Sequence, residues 1–197
     1  MGEQGPPARL ACLISGGGRT ALNLHEACLD RRLNAEIAIV LADRDCAGLA
    51  RAREAGLDAR LGVPESAQGV AELLGAQRIE LVCLAGYLRL LPIPRGWEDR
   101  ILNIHPALLP RFGGRGMHGL RVHRAVLDAG ETESGCTVHL CDSRYDSGAI
   151  VLQRRCPVRP GDTPGILADR VFEEERIAYP EAVGITLERV STTEPRP

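Results

Sequence analysis

The sequence contains no lysine, and all 24 of its basic residues are arginine. A chain without lysine cannot form a Schiff base with a substrate, and it cannot place a P-loop lysine on a nucleotide phosphate. The composition therefore excludes these two kinds of site. The formal net charge of -2 also gives no basic surplus that would favour nucleic acid. We expect small-molecule partners and no nucleic-acid partner.

Two further features are missing. The seven cysteines include no C-x-x-C pair, and their apolar surroundings indicate buried thiols in a reducing compartment rather than a zinc site. No apolar run approaches the ~20 residues of a membrane span, and "MGEQGPPARL" lacks the apolar core of a signal peptide. We therefore expect a cytoplasmic protein with no metal and no membrane contact.

Short apolar runs alternate with stretches of helical period in the first half of the chain. This pattern predicts βαβ units, and hence a Rossmann-like α/β fold with a mostly parallel sheet flanked by helices. The predicted strands are "ARLACLIS" (8–15), "AEIAIVLA" (35–42), "ELVCLAG" (80–86) and "RILNIHP" (100–106). Leu22, Leu29 and Leu33 are expected on the buried face of the first helix. A second helix is predicted over 47–56.

The second half of the chain changes character. The β-rich runs 134–142 and 148–156 predict a hairpin, which gives the sheet an antiparallel C-terminal portion. A helix is predicted over 161–180, capped by Asp162 or Thr163, and "GITLERV" (184–190) predicts a final edge strand. The expected apolar face of the helix consists of Ile166, Leu167, Val171, Ile177 and Ala178. The length favours one domain over 1–197, with a core of about 9–190 and frayed termini.

A glycine-rich turn, "LISGGGRTALNL" (13–24), follows the first predicted strand and opens a helix. Its backbone N–H groups and the helix N-terminus are suited to an anion such as a phosphate. A plain tight turn explains the glycines equally well. An NAD-dependent oxidoreductase is a third possibility, with Asp43 or Asp45 as the acidic partner of the ribose.

Asn103 and His105 lie two residues apart at the end of a predicted strand. Side chains alternate along a strand, so the two should project from the same side, and Pro106 should end the strand. An amide donor and an imidazole would then meet at the carboxyl end of the sheet, where open α/β sheets bind ligands. A capped strand end with a structural histidine is the alternative.

The remaining polar candidates have ordinary structural explanations. His139 is expected to make a structural hydrogen bond within a strand, while His118 and His123 are expected to face solvent. Asp146 lies in the hairpin connection "SRYDSGAI", where an aspartate often forms an Asx turn.

Three separated segments nevertheless agree with one family: "LISGGG", "NIHPALLP" and "GCTVH…YDSGAIVLQ". With them, the chain resembles the folate-dependent formyltransferases over about residues 9–190. The resemblance implies catalytic roles for Asn103, His105 and Asp146. It implies folate binding by Leu88, Arg89, Leu90 and Leu91 with Asn103, and by the wall 138–146. It implies substrate binding by Gly18, Arg19 and Thr20 at a phosphate and by Glu175 at a ribose.

The activity implied by the resemblance is transfer of the formyl group of 10-formyltetrahydrofolate to the amine of glycinamide ribonucleotide, in the biosynthesis of the purine nucleotide IMP. Asn103 and a protonated His105 would stabilise the negative charge on the formyl oxygen, each donor supplying ~3 kcal/mol. Asp146 would raise the pKa of His105. A formyltetrahydrofolate deformylase and a transferase with a different amine acceptor are the alternatives.

The chain departs from the family pattern at four places. Arg19 and Thr20 replace a small polar pair in the glycine turn, and Phe172 stands where a polar ribose contact is expected. The loop 111–123 is longer and richer in glycine than usual, and we expect it to be mobile. Residues 61–75 contain no arginine, so the arginine that binds the folate carboxylates stays open.

Overall fold

The computed structural model describes residues 5–193, and the frayed termini expected from the sequence fall on residues 1–4 and 194–197, outside the described residues. The strands are β1 (Ala8–Ile14), β2 (Ala35–Ala42), β3 (Ala59–Leu61), β4 (Leu81–Leu84), β5 (Ile101–His105), β6 (Glu133–Leu140) and β7 (Ile150–Pro157). The helices are α1 (Arg19–Leu29), α2 (Ala47–Glu54), α3 (Ala67–Ala76), α4 (Leu120–Asp128) and α5 (Pro164–Thr193).

All seven strands form one sheet in the order β3-β2-β1-β4-β5-β6-β7. The first five strands of this order are parallel, and β6 and β7 are antiparallel to their neighbours. The α/β prediction, including its antiparallel C-terminal portion, is therefore confirmed. The direction of winding reverses between β1 and β4, and such a reversal opens a crevice at the carboxyl ends of the two strands.

Side chains of β1 alternate between the two faces of the sheet. Leu10 and Cys12 pack with the helices α1, α2 and α5, while Ala11 and Leu13 pack with α3. The core consists of these two apolar layers, one on each face. The face predicted for the first helix is wrong in part, because Leu29 is 68% exposed. The register of α1 instead turns Leu24 and Ala27 toward the sheet.

Helix α5 differs most from the prediction. It runs through Pro180 and continues over residues 184–190, so the predicted helix end and the predicted edge strand are both wrong. A proline inside a helix leaves the carbonyl four residues earlier without a donor. Here that carbonyl belongs to Arg176, and the side-chain amide of Asn23 donates to it at 3.2 Å. This contact from outside the helix replaces the missing hydrogen bond.

The start and the buried face of α5 agree with the prediction in part. Thr163 Oγ1 accepts from the backbone N–H of Ile166 at 3.3 Å, as expected for a cap, whereas Asp162 pairs with Arg170. Leu167, Val171 and Ala178 are fully buried. Ile166 and Ile177 are each 50% exposed, because the side of the helix that packs against the core is the one that carries the other three residues.

Candidate active site

A pocket of about 400 Å³ lies at the carboxyl ends of β1, β4 and β5. Two hydrogen bonds join the segments around it: Ser15 N–H donates to the Gly86 carbonyl at 3.1 Å, and Leu88 N–H donates to Ser15 Oγ at 2.9 Å. The buried hydroxyl of Tyr179 lies within hydrogen-bonding distance of the Leu84 carbonyl at the end of β4 and of the Leu102 carbonyl within β5. The turn after β1 is thereby fixed beside the segment that follows β4.

Asn103, His105 and Asp146, which lie far apart in the sequence, line this pocket together. Asn103 and His105 project from one side of β5, as predicted. Antiparallel pairing places His139 of β6 opposite Asn103, and the connection after β6 then brings Asp146 back over the end of β5. Asp146 Oδ1 lies 3.2 Å from Asn103 Nδ2, and Asp146 Oδ2 lies 3.5 Å from His105 Nδ1.

The amide of Asn103 is held from two directions. One N–H donates to Asp146, and Nδ2 also lies 3.0 Å from His139 Nε2. His139 Nδ1 lies 2.8 Å from the Leu140 carbonyl, which can only accept, so Nδ1 carries the proton and Nε2 accepts from Asn103 in the neutral ring. The predicted structural hydrogen bond of His139 therefore orients Asn103.

His105 is 4% exposed, and its Nε2 donates to the Phe112 carbonyl at 2.8 Å. Burial lowers the pKa of His105 below its ordinary value, although the charge of Asp146 and the bond to Phe112 act in the opposite direction. The expected effect of Asp146, which is to raise the pKa of His105, is confirmed, but the net direction is downward. The contribution of Asp146 has the expected sign, but desolvation of the ring outweighs it.

Asp146 is an ionised carboxylate in a largely enclosed position. Burial would raise its pKa, but contacts with His139, His105 and the backbone N–H of Gly114 outweigh it and leave the pKa lowered. Gly114 N–H donates to Asp146 Oδ2 at 2.8 Å. Asp146 itself has a φ of 54°, in the left-handed region that an aspartate tolerates better than most residues.

The chain after β5 is anchored by residues that sequence reasoning missed. Thr137 Oγ1 accepts from Leu109 N–H and donates to the Ala107 carbonyl, and the Gln153 amide donates to both Leu109 O and Thr137 Oγ1. These bonds fix the backbone directly after His105. The sequence signal that could have revealed them is a polar residue at an inward-facing position of each hairpin strand, Thr137 in β6 and Gln153 in β7. The expected mobility of 111–123 stays a prediction.

The segment expected to bind folate lines one side of the pocket. Leu88 and Leu90 are 38% and 45% exposed, whereas Leu91 is 7% exposed. Apolar side chains that face an open pocket suit a flat, partly apolar ligand. Arg89 pairs with Glu65 at 3.1 Å.

The glycine turn lies directly before Thr20, which lines the pocket. Gly18 has a φ of 73°, and a Cβ there would lie 2.8 Å from the Gly48 Cα, so only glycine fits. Arg51 donates to the Gly17 carbonyl at 2.8 Å and holds the turn from α2. Thr20 lines the pocket, while Gly18 and Arg19 lie directly before it in the chain.

Glu175 of α5 lines the pocket and is 9% exposed. Burial raises its pKa to about 7, although the charge of Arg19 opposes the rise. The guanidinium of Arg19 lies 3.9 Å from the centroid of the Phe172 ring. Two of the positions that depart from the family pattern are therefore in direct contact.

Two histidines are not where the sequence analysis expected them. His123 is 4% exposed, because α4 turns it toward the core together with Val122 and Val126. Its Nδ1 has no hydrogen-bond partner in the described part of the chain, and burial lowers its pKa to about 4. His118 is half-buried and lines the pocket rather than facing bulk solvent.

Asp43, one of the two acidic residues considered for NAD binding, already pairs with an arginine. The Asp43 side chain is 2% exposed and accepts from Arg44 with both of its oxygens. Within residues 5–193, no group of three or more His, Cys, Asp or Glu is placed to hold a metal ion. Over the same residues, no helix is long and apolar enough to cross a membrane.

The chain is similar to proteins of one family. A family model described as formyl transferase matches residues 8–183. The phosphoribosylglycinamide formyltransferase, chloroplastic, of Arabidopsis thaliana is 39% identical over 91% of this chain and 65% of that protein. A trifunctional purine biosynthetic protein adenosine-3 of Drosophila pseudoobscura pseudoobscura is 40% identical over 94% of this chain and 14% of that protein.

The fold is also that of a solved relative. The crystal structure of glycinamide ribonucleotide transformylase 1 from Symbiobacterium toebii superposes with a TM-score of 0.84 at 41% identity, covering 94% of this chain and 90% of that one. The chain spans less than two thirds of the length of the two curated relatives above. The Arabidopsis name refers to the chloroplast, and a cytoplasmic location stays a prediction for this chain. Because the family model matches most of the chain, and the three sequence segments agree with it, this chain belongs to the formyl transferase family.

Proposed function

We propose that this protein transfers the formyl group of 10-formyltetrahydrofolate to the amine of glycinamide ribonucleotide, a step of purine biosynthesis, with residues 9–190 acting as one domain. The observation that carries the proposal is the meeting of Asn103, His105 and Asp146 in a pocket whose lining has chemically different parts. One part of the lining presents exposed leucines, and another presents Thr20 and Glu175. The names of the relatives support the same activity.

In the proposed reaction, the acceptor amine attacks the formyl carbon that is bound to N10 of the folate. A carbon–nitrogen bond forms, and the electron pair of the carbonyl moves onto the formyl oxygen. The bond between N10 and the formyl carbon then breaks, and N10 receives a proton while the acceptor nitrogen loses one. Atoms and charges balance with no metal ion and no covalent enzyme intermediate.

Asn103 and His105 are the proposed donors to the formyl oxygen. The bond of Asn103 to Asp146 is the longer of its two contacts, at 3.2 Å against 3.0 Å, and the developing oxyanion would take its place. Donors fixed before the reaction stabilise such charge without reorganising, and removal of one donor typically costs about 3 kcal/mol in the transition state. His139 keeps the Asn103 amide in the orientation that this role needs.

The carboxylate of Asp146 has two proposed tasks. It lies 3.5 Å from His105 Nδ1, so its negative charge favours protonation of that nitrogen. Charge that develops on the formyl oxygen adds to this effect and opposes the burial that keeps the ring neutral. Its second task would be to position the water molecule that carries the proton from the acceptor nitrogen to N10.

The substrates have separate proposed positions. The pterin ring of the folate would lie against Leu88–Leu91 and the wall 138–146, and the ribonucleotide would lie between the glycine turn and Glu175. Gly18, Arg19 and Thr20 would meet the phosphate, through backbone N–H groups that have no acceptor inside the helix. Glu175 would meet a ribose hydroxyl.

The test is an assay of the purified protein with 10-formyltetrahydrofolate, with and without glycinamide ribonucleotide. Release of tetrahydrofolate and formation of the formylated acceptor are measured together. Equal amounts of both products, formed only with the acceptor present, are expected. Release of formate without the acceptor would identify a deformylase, and inertness with this amine would sink the proposed acceptor.

A further inference from the structure

The first residue of α1 is stacked on the third turn of α5. The Arg19 guanidinium lies 3.9 Å from the centroid of the Phe172 ring, at a distance typical of direct face-on contact. A stacked guanidinium keeps its N–H groups at its edges, where they remain available to an anion. The stack therefore holds a cation at a fixed place beside the glycine turn.

Arg19 also has a weak acidic partner. Arg19 Nη1 lies 3.5 Å from Asp169 Oδ1, and the two side chains are 55% and 76% exposed. An ion pair this long and this exposed contributes little and is easily exchanged for another anion. Asp169, Phe172 and Glu175 follow one another at three-residue spacing, so they lie along one side of α5.

The surroundings of Arg19 are suited to a ligand that carries both an anion and a hydroxyl group. The N-cap residue Gly18 provides no side-chain cap, and the first turn of α1 contains no acidic residue. Glu175 is nine-tenths buried and lines the pocket. A carboxyl in the wall of a pocket can hydrogen-bond to a hydroxyl of a bound ligand.

We infer that the Arg19–Phe172 stack is a preformed clamp for the phosphate ester of the acceptor, and that Asp169 holds the guanidinium until the phosphate replaces it. The inference rests on the proposed function for the identity of the acceptor. Arg19 contacts the ligand directly. Phe172 and Asp169 are positioning residues that act through Arg19.

The clamp also links the phosphate to Glu175. The charge of Arg19 opposes the rise in the pKa of Glu175 that burial causes. A phosphate on Arg19 cancels part of that positive charge, so the neutral form of Glu175 becomes more favourable when the ligand is bound. A neutral carboxyl can donate a hydrogen bond to a sugar oxygen as well as accept one.

Calorimetric binding of ribose 5-phosphate and of ribose to the whole protein tests the clamp without any catalysis. Arg19→Ala should weaken ribose 5-phosphate binding by about ten- to a hundredfold, the range for hydrogen bonds to charged groups. Phe172→Leu keeps the apolar volume but removes the π face, and should weaken binding by about two- to fivefold. Asp169→Asn removes the competing anion and should tighten binding by about two- to threefold.

Arg176→Ala is the matched control, because Arg176 is an exposed arginine of the same helix that pairs with Glu173 at 3.4 Å. It removes the same charge and should leave ribose 5-phosphate binding unchanged. Thermal unfolding of each variant checks that the fold is retained. All four side chains are at least partly exposed, so folded variants are expected.

Three results would overturn the clamp: wild-type affinity in Arg19→Ala, an equal loss in Arg176→Ala, or an equal loss for ribose without phosphate. Wild-type affinity in Phe172→Leu would show that the stack does not contribute to binding. Weaker binding in Asp169→Asn would show that Asp169 does not compete with the phosphate for Arg19. If ribose 5-phosphate binds with the expected pattern but no formyl group is transferred, the proposed function fails and the clamp stands. If the formyl group is transferred and Arg19→Ala has an unchanged KM for the acceptor, the clamp fails alone.

Discussion

Asn23 of α1 donates its side-chain amide to the backbone carbonyl of Arg176 in α5, at 3.2 Å. Pro180 has no N–H to offer this carbonyl, so the contact completes the hydrogen bonding of α5 from outside the helix. Asn23 is 5% exposed, and the bond is therefore sheltered from water. The two helices joined here carry Arg19 and Glu175, so the contact also holds these two residues near each other.

Asn23→Ala should lower the free energy of unfolding by about 1–3 kcal/mol, because a buried carbonyl loses its donor. Urea unfolding followed by circular dichroism measures this change. Asn34→Ala is the matched control, since the amide of the exposed Asn34 donates to the Gly5 carbonyl at the surface. The control should change the unfolding free energy by less than about 0.5 kcal/mol. Equal stability of the two variants would contradict the assigned role of Asn23.

His105→Ala should lower kcat by about a hundredfold or more, because a proposed donor to the formyl oxygen is removed. Binding of tetrahydrofolate, measured by calorimetry, should stay close to that of the wild type, since the leucine segment is untouched. His25→Ala is a suitable control, because His25 lies on α1 and is not part of the pocket lining. A kcat near the wild-type value in His105→Ala would show that another group serves as the donor.

Glu175→Gln should make the protein more stable than the wild type at pH 8. The pKa of Glu175 rises from 4.5 to about 7 on folding, so stability from this group is present below pH 4.5 and is lost as the pH rises through about 7. Glutamine does not titrate. The variant should gain up to about 3 kcal/mol relative to the wild type between pH 4.5 and pH 8, measured by urea unfolding at each pH. A constant difference across this range would mean that Glu175 ionises normally in the folded protein.

His123→Leu should make the protein more resistant to acid. The pKa of His123 falls from 6.5 to about 4 on folding, so stability from this group is present above pH 6.5 and is lost as the pH falls through about 4. The variant should gain up to about 3 kcal/mol relative to the wild type over that window. If the free energy of unfolding changed with pH in the same way in the variant and the wild type, His123 would not be buried as a neutral ring.

The windows of Glu175 and His123 overlap between pH 4.5 and 6.5, and their contributions have opposite signs there. A fall in pH favours the folded state through Glu175 and disfavours it through His123. The two effects therefore partly cancel in the wild type, so its free energy of unfolding changes little with pH over this range. Each single variant removes one of the two effects and makes the other one visible. His25→Ala, which removes a partly exposed histidine, is the control for both series.

Much of the fold could be predicted because local pattern and tertiary environment agree. Strands β1, β2, β4 and β5 are apolar runs bounded by turn residues, and parallel strands buried on both faces need that composition. Asn103 and His105 were placed correctly because the two-residue period of a strand leaves no other arrangement. Their position at the carboxyl end of β5 then located the crevice.

The errors occur where a distant residue overrides the local signal. Pro180 normally predicts a helix end, but Asn23, more than 150 residues earlier, supplies the lost donor. Leu29 and Ile177 are apolar and fit a helical period, yet the orientation of each helix leaves them exposed. His123 is polar but is turned inward by its apolar neighbours in α4. Nothing local in these segments specifies which side of the helix meets the sheet.

By itself, the sequence determined six of the seven strands, all but β3, together with the glycine turn and the paired positions of Asn103 and His105. It also excluded chemistry that depends on lysine. These follow from backbone geometry and composition, which are local or countable. The tertiary structure alone decided that Asp146 and His139 close on Asn103 and His105, that burial lowers the pKa of His105, and that Arg19 stacks on Phe172. Each of these depends on distance and desolvation between segments that are remote in the chain, and no local pattern encodes either quantity.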